Sequence, residues 1–337
     1  MMNWRKKMKA IIRTGDGGPE VLQLAETPAP RPTATQVLVD VHATALNRAD
    51  LIQRRGGYPP PPGESEILGL EIAGTVSEVG YAVEDGISKI SKGDRVFGLV
   101  GGGGYAEQAV IDYRMAMPIP DGWSFEEAAA VPEVFFTANE NIFTLGKLSA
   151  GETILIHAGG SGVGSAGIQI SQHAGATVFV TAGTPEKIDK CKALGATEGI
   201  NYKTTDFVGE IQRLTDGRGV DVVLDFIGAP YLERNLSILK TKGRLLQVGL
   251  IAGATAEINL GAVMRNRLQI IGSVMRPQSI DEKIAITQRF VERWLPELKR
   301  GALHPIIDTV FPLAEAQQAH AYMEANRNFG KILLKVS

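Results

Sequence analysis

One stretch limits the folds open to this chain more than any other: Ile154-Leu-Ile-His-Ala-Gly-Gly-Ser-Gly-Val-Gly-Ser-Ala-Gly167. An apolar strand runs into a turn of small residues that opens directly into a helix. Glycines let the backbone approach a pyrophosphate, and the free N–H groups of the helix start hold its charge. A strand before and a helix after separate a dinucleotide fingerprint from a chance match. The literal G-x-G-x-x-G pattern fits Gly162, Gly164 and Gly167, but it begins inside the expected helix. A second register, Gly159-x-Ser161-x-x-Gly164, sets the turn at the strand end with serine in place of the middle glycine, and is preferred.

The surrounding chain agrees with a parallel α/β unit. Strands are expected at Thr153–Ala158, Thr177–Ala182, Val220–Phe226, Arg244–Val248 and Leu268–Val274. Helices are expected between them at Val163–His173, Pro185–Leu194, Phe207–Thr215 and Leu232–Leu239. Apolar strands alternating with helices predict a parallel sheet covered on both faces. Before residue 131 the pattern is β-rich: Gln36–Val41 and Gly74–Val79 alternate apolar and polar residues, and no helical period precedes residue 124. Ser124, with Glu126 and Glu127 in the first turn, predicts a helix running towards Leu145. The tail predicts a helix around Ile280–Leu298, a strand near Ile306–Phe311, a helix at Ala314–Ala325 and a closing strand at Lys331–Val336. The expected divisions are a β-rich domain over 8–131, a nucleotide-binding domain over 132–274, and a tail over 275–337 that returns to the first.

A length of 337 residues suits about two domains. Glycine, at 39 residues, is well above the usual share of about 7%. The net charge of −2 gives no basic excess for nucleic acid or anionic lipid. No apolar run reaches the roughly 18 residues of a membrane helix. The basic start Met1–Lys9 is too short for a transit helix, so a soluble cytoplasmic protein is expected. The single cysteine, Cys191, excludes an intrachain disulfide and a four-cysteine zinc site, and its helical position predicts burial. None of the five histidines stands at ligand spacing from another, so ordinary packing or solvent exposure is expected for each. There is no G-x-S-x-G nucleophile elbow. Gly101–Gly104 precedes a strand, not a helix, and reads as a flexible turn or bulge.

The second strand of the parallel unit ends without an acid to accept from a ribose hydroxyl. Lys187 and the Thr184 hydroxyl stand nearby, so a 2′-phosphate is accommodated and NADPH is expected over NADH.

Ala45-Leu-Asn-Arg-Ala-Asp50, Gly69-Leu-Glu-Ile-Ala-Gly74, the turn at Ala158–Gly164 and the ending Asn326-Arg-Asn-Phe-Gly-Lys331 together resemble the medium-chain dehydrogenases/reductases. The branch they resemble most is the zinc-independent quinone oxidoreductases of the tumour-suppressor-inducible type, over nearly the whole chain from Met8. The resemblance implies a GroES-like β-rich domain, a doubly wound Rossmann domain and a homodimer, with substrate in the cleft between the domains. Leu268–Val274 is the candidate edge strand for the dimer. Asn47 stands where zinc alcohol dehydrogenases carry a ligand cysteine, and Leu70 where they carry a ligand histidine; Glu71 remains. No metal is therefore expected.

By resemblance, Asn47 and Tyr58 line the nicotinamide and acceptor site, and Thr137 contacts the cofactor. Ser161, Gly162 and Val163 match the pyrophosphate turn, and Gly183, Lys187 and Tyr202 the 2′-phosphate group. Gly249, Leu250, Ser273, Val274 and Met275 border the nicotinamide, and Asn328 is a late cofactor contact. The implied activity is reduction of quinones or related conjugated carbonyls by NADPH, in one- or two-electron steps. Asn47 and Tyr58 orient the acceptor, and the final proton comes from water. The alternatives are an NADPH-dependent enoyl-thioester reductase, with Tyr58 as proton donor, against which there is no clear basic patch for a carrier phosphate and only Arg54 and Arg55 as local candidates, and a non-catalytic NADPH-binding or RNA-binding protein.

Overall fold

Alternation in the first third of the chain resolves into seven strands: β1 (Lys7–Arg13), β2 (Leu22–Pro28), β3 (Gln36–Ala45), β4 (Glu71–Val79), β5 (Arg95–Leu99), β6 (Gln108–Asp112) and β7 (Met117–Pro118). Three helices accompany them: α1 (Arg48–Arg54), α2 (Phe125–Ala129) and α3 (Pro132–Asn139). The computed structural model describes residues 7–84 and 86–337. Helix α1 corrects the expectation that no helix precedes residue 124. It spans only two turns, too short to show a period, and its start is set by the Asp50 carboxylate accepting from the Asn47 N–H at 2.7 Å. The expected single helix from Ser124 towards Leu145 is divided. Pro132 opens α3 at the first-turn position a proline tolerates, and residues Glu140–Leu145 wind into a π-helical turn.

The second part holds β8 (Thr153–Ile156), α4 (Gly162–His173), β9 (Thr177–Ala182), α5 (Pro185–Ala193), β10 (Glu198–Asn201), α6 (Phe207–Leu214), β11 (Val220–Asp225), α7 (Leu232–Ser237), β12 (Leu239–Gln247), α8 (Leu260–Asn266) and β13 (Gln269–Gly272). Its six strands lie in the order β10-β9-β8-β11-β12-β13, every pair parallel, which is the doubly wound Rossmann order. Strand β10 and helix α8 are absent from the sequence reading. β10 has four residues with one fully buried apolar side chain, and α8 buries none, so neither carries a periodic signal. Strand β12 begins five residues before the expected Arg244, across an irregular pairing with β11 and a left-handed Lys242.

The tail supplies α9 (Ile280–Arg293), α10 (Leu295–Lys299), β14 (Ile307–Pro312), α11 (Ala316–Glu324) and β15 (Lys331–Lys335). The expected long helix is two helices, parted at Trp294 where Pro296 removes a donor. β15 pairs antiparallel with β3 and parallel with β14, giving a sheet ordered β14-β15-β3-β4-β5-β7, with β6 also on β3. The contacts divide the chain into two units, residues up to Val134 with Arg276–Ser337, and Phe135–Met275.

The first unit packs around Ile11, Leu22, Leu46, Leu51, Leu68, Leu313 and Ile332, the second around Leu155, Phe207, Ile211, Val223 and Leu245. Each fully buried side chain of this kind stabilises by roughly 1.5–3 kcal/mol. The run Gly101–Gly104 is no flexible turn. Gly103 N donates to Ile67 O at 2.7 Å, Gly104 N to Gly69 O at 3.1 Å, and Tyr105 N to Leu68 O at 2.9 Å. A Cβ on Gly104 would stand 2.7 Å from Thr44 Oγ1 and 3.0 Å from Glu71 O, so two backbone segments meet where only glycine fits.

Candidate active site

In the second unit, helix α4 starts at Gly162, and the Ser161 hydroxyl caps it by accepting from Gly164 N at 3.0 Å. The register beginning at Gly159 therefore lies at the strand end. A Cβ on Gly159 would stand 2.8 Å from Val180 Cβ, and one on Gly164 would stand 2.4 Å from Ala158 O. Ala158 itself is left-handed, at φ 53°. The turn is thus close-packed against the strands and leaves the Gly162 and Val163 N–H groups at the helix start, the geometry of an anion cradle. Gly183 follows β9, Tyr202 follows β10, Gly249 and Leu250 follow β12, and Ser273, Val274 and Met275 follow β13. All lie beyond the carboxyl ends of the parallel strands, where doubly wound sheets take ligands. Thr184 caps α5 by accepting from Lys187 N at 3.3 Å, which leaves Lys187 half-buried in the first turn. The Tyr202 hydroxyl would lie 2.9 Å from a Cβ at Gly183, so Gly183 and Tyr202 stand side by side. Thr137 is buried on α3, its carbonyl accepting from Asn141 at 2.8 Å. Cys191 is buried, and burial pushes its thiol up to about 12.

The first unit holds a buried polar centre. Lys331, 2% exposed, donates from Nζ to Glu71 Oε1 at 2.7 Å, to Asn47 Oδ1 at 2.7 Å and to Leu46 O at 2.8 Å. Asn47 Nδ2 donates to Glu71 Oε1 at 2.8 Å and reaches Ala45 O at 3.5 Å. An ammonium only donates and a carboxylate only accepts, so the two fix which way the Asn47 amide faces. The other Glu71 oxygen accepts from Glu133 N at 2.9 Å, at the start of α3. Asp50 accepts from Asn47 N at 2.7 Å and from Gly69 N at 3.1 Å; burial raises its carboxyl to about 6 against those hydrogen bonds.

Tyr58 is half-buried under Arg276, whose guanidinium lies 5.1 Å from the ring centroid and donates to Tyr58 O at 2.8 Å and to Gly101 O at 3.0 Å. Burial, then the nearby Glu133, pushes the Tyr58 hydroxyl up to about 12, so it stays protonated as a donor. Desolvation, then Glu71, pushes Glu133 up to about 8. Asn328, in the turn before β15, is buried and donates to Gly330 O at 2.7 Å. Asn47, Tyr58 and Asn328 belong to the first unit, and every other expected site residue to the second. Lys331, Glu133, Asp50 and Arg276 were not anticipated as site residues. Lys331 and Asp50 stand inside the quoted motifs, but nothing in a sequence says that a lysine is buried. Arg54 is fully buried and Arg55 pairs with Glu324, so neither is a free phosphate ligand.

Residues 33–121 match the alcohol dehydrogenase GroES-like domain, and residues 162–289 match the zinc-binding dehydrogenase family. A quinone oxidoreductase of Rattus norvegicus is 33% identical over 99% of this chain and 99% of its own. The CurK enoyl reductase structure superposes with a TM-score of 0.85 at 28% identity, covering 98% of this chain and 99% of that one. A mycobacterial structure complexed with NADPH also gives 0.85 at 28% identity, covering 98% and 100%. A GroES-like domain joined to a Rossmann sheet defines a nicotinamide-dependent oxidoreductase. The chain belongs to the medium-chain dehydrogenases/reductases, as a quinone oxidoreductase-like member.

Zinc, which the second family's description implies, does not suit the residues present. The Lys331 ammonium hydrogen-bonds to both Glu71 and Asn47, so a divalent ion would meet a fixed cation and an amide. Among the described residues no cluster of three or more His, Cys, Asp or Glu can hold a metal ion. Nor is any described helix long and apolar enough to cross a membrane.

Lys331→Met strands Glu71 as an unpaired buried carboxylate and should cost about 3–5 kcal/mol in denaturant unfolding. Adding Glu71→Gln should recover part of that loss, and a double variant no more stable than the single would show the pair uncoupled. Glu133 keeps its proton in the fold up to about pH 8, whereas the unfolded chain releases it in the ordinary carboxylate range. The unfolded state then binds fewer protons, so stability falls as pH rises between those limits. Thermal midpoints should show Glu133→Gln gaining on the native protein from about pH 5 to about pH 8, with no gain at about pH 4.

Proposed function

We propose that this chain is an NADPH-dependent, zinc-independent reductase of quinones or related conjugated carbonyls. The observation that carries the reading is the Lys331–Glu71–Asn47 centre, which fills with an ammonium the place where related dehydrogenases hold metal ligands. An acceptor that spreads its developing charge over a conjugated system needs hydrogen-bond donors and no Lewis acid.

The turn at Ser161, with the Gly162 and Val163 N–H groups, holds the pyrophosphate. Lys187, Tyr202 and the backbone at Gly183 hold the 2′-phosphate. Thr137, Gly249, Leu250, Ser273, Val274 and Met275 border the nicotinamide, with Asn47 and Asn328 as further contacts. When bound, the reduced nicotinamide supplies the hydride. Tyr58, clamped by Arg276 and protonated throughout the working range, donates a hydrogen bond to the acceptor oxygen. Of the Asn47 amide hydrogens, one is committed to Glu71; the other rests on Ala45 O at 3.5 Å and is the one able to turn to a ligand. The final proton comes from water. Strand β13, which ends the parallel sheet with Ile270 exposed, supplies the edge for a homodimer.

The test is loss of reduced-nicotinamide absorbance with benzoquinone or phenanthrenequinone against a crotonyl thioester. Quinone-dependent oxidation of NADPH is expected, with NADH much slower. Lys187→Ala should raise the KM for NADPH about tenfold, the worth of one lost charge-assisted phosphate contact, and leave NADH nearly unchanged. Equal use of both cofactors by the native protein would sink the 2′-phosphate assignment.

Enoyl-thioester reduction is the second reading, favoured by the likeness to CurK enoyl reductase and by Tyr58. Against it, Arg54 and Arg55 are engaged with Glu324. Tyr58→Phe separates the two: a thioester reductase should lose most turnover, a quinone reductase less.

A further inference from the structure

Beneath the Asn47 centre lies a second line of buried polar groups that the proposed chemistry does not use. Arg54, at the end of α1, has no exposed surface. Its Nε donates to Gly17 O at 3.0 Å, its Nη2 to the Glu324 carboxylate, and its Nη1 lies 3.2 Å from His320 Nδ1. His320, on α11, is fully buried and places Nε2 3.2 Å from the Tyr105 hydroxyl. That hydroxyl donates to Asp50 Oδ2 at 3.3 Å.

The direction of every bond follows from its ends. A guanidinium has no acceptor, so His320 Nδ1 must accept. The ring is then the neutral Nε2–H tautomer, and Nε2–H donates to the tyrosine oxygen. The tyrosine hydrogen is left for Asp50. We infer that Arg54, His320 and Tyr105 form a one-directional hydrogen-bond chain whose role is to position Asp50, and through it the Asn47 main chain. Asn47's role here is the cofactor and acceptor contact proposed above.

Two observations support a positioning role beyond packing. The chain runs beside Leu46, Leu51, Leu68, Ala316, Ala319 and Met323, where apolar side chains of similar volume would fill the space without desolvating a cation. Its far end ties the start of α1 to the segment entering β4, since Asp50 accepts from both Asn47 N and Gly69 N. Burial and the Arg54 charge hold the His320 imidazole down at about 3, in agreement with the tautomer that geometry requires. Asp50 also feels Lys331 from β15 and Glu71 from β4; in turn it acts on Tyr58, Glu133 and Arg276.

The experiment uses the full chain and Tyr105→Phe, which removes only the linking hydroxyl. Nitrogen-15 spectra of histidine-labelled native protein should show His320 as a neutral Nε2–H ring from about pH 5 to about pH 8. A titrating ring or the Nδ1–H tautomer overturns the proposal. In Tyr105→Phe, exchange of the Asn47 N–H should quicken at least tenfold, and an unchanged rate overturns it. If the native protein reduces quinones, Tyr105→Phe should lower kcat about tenfold with cofactor affinity within twofold. The acid limb of its pH profile should also move upward, because the Asp50 carboxylate loses a donor to its charged form. A lowered thermal midpoint with kcat and profile unchanged would leave the chain purely structural and overturn the positioning role. If no acceptor is turned over, the functional reading fails, while the tautomer and the Asn47 exchange rate still decide the chain.

Discussion

Taking a lysine and a glutamate out of water together is unfavourable unless every remaining proton and lone pair finds a partner. In this protein Lys331 and Glu71 meet that condition, and much of the first unit is arranged so that they can. Lys331 sits on β15 and Glu71 on β4, the strands on either side of β3, so the ion pair crosses the middle of the sheet. Asn47, at the junction of β3 and α1, bridges both partners. The second Glu71 oxygen reaches the start of α3, the helix by which the chain leaves the first unit. A single buried pair therefore ties together three adjacent strands and the entries of two helices.

The parallel sheet was legible because two independent signals agreed. Its central strands β8, β9 and β11 are apolar runs buried on both faces, and its first turn has spacing that demands close backbone approach. What escaped had no such signal: β10 and α8 carry too few buried side chains, and α1 is too short to show a period. Helix breaks at Pro132 and Pro296 were legible in principle, since proline punctuates wherever it stands. The glycine run before Tyr105 misled for a physical reason. Glycine is used both for freedom and for lack of bulk, and at Gly104 the second use governs.

The positions of the candidate nucleotide residues are legible in the sequence, and those of the buried polar centre only in half. Ser161, Gly183 and Tyr202 were named from the turn and the resemblance, and they stand together at the carboxyl edge of one sheet. Asn47 and Tyr58 were named too, but not the groups that hold them. Arg276 lies far along the chain from Tyr58, and Lys331 from Asn47. Long-range pairing of that kind leaves no periodicity, and a buried cation looks in sequence like any surface lysine or arginine.

The strand that delivers Lys331 also sets an order of events during synthesis. Residues Phe135–Met275 form a contiguous unit, free to acquire its core as soon as β13 has emerged from the ribosome. The other unit is discontinuous: β3 and β4 are made early, yet the strand that lies beside β3 and neutralises Glu71 comes more than 250 residues later. Until then Glu71 has no counter-ion, and the edge of β3 that β15 will cover is open. The middle of the chain is therefore the first able to close, and the unit built from its two ends stays incomplete until β15 has been translated.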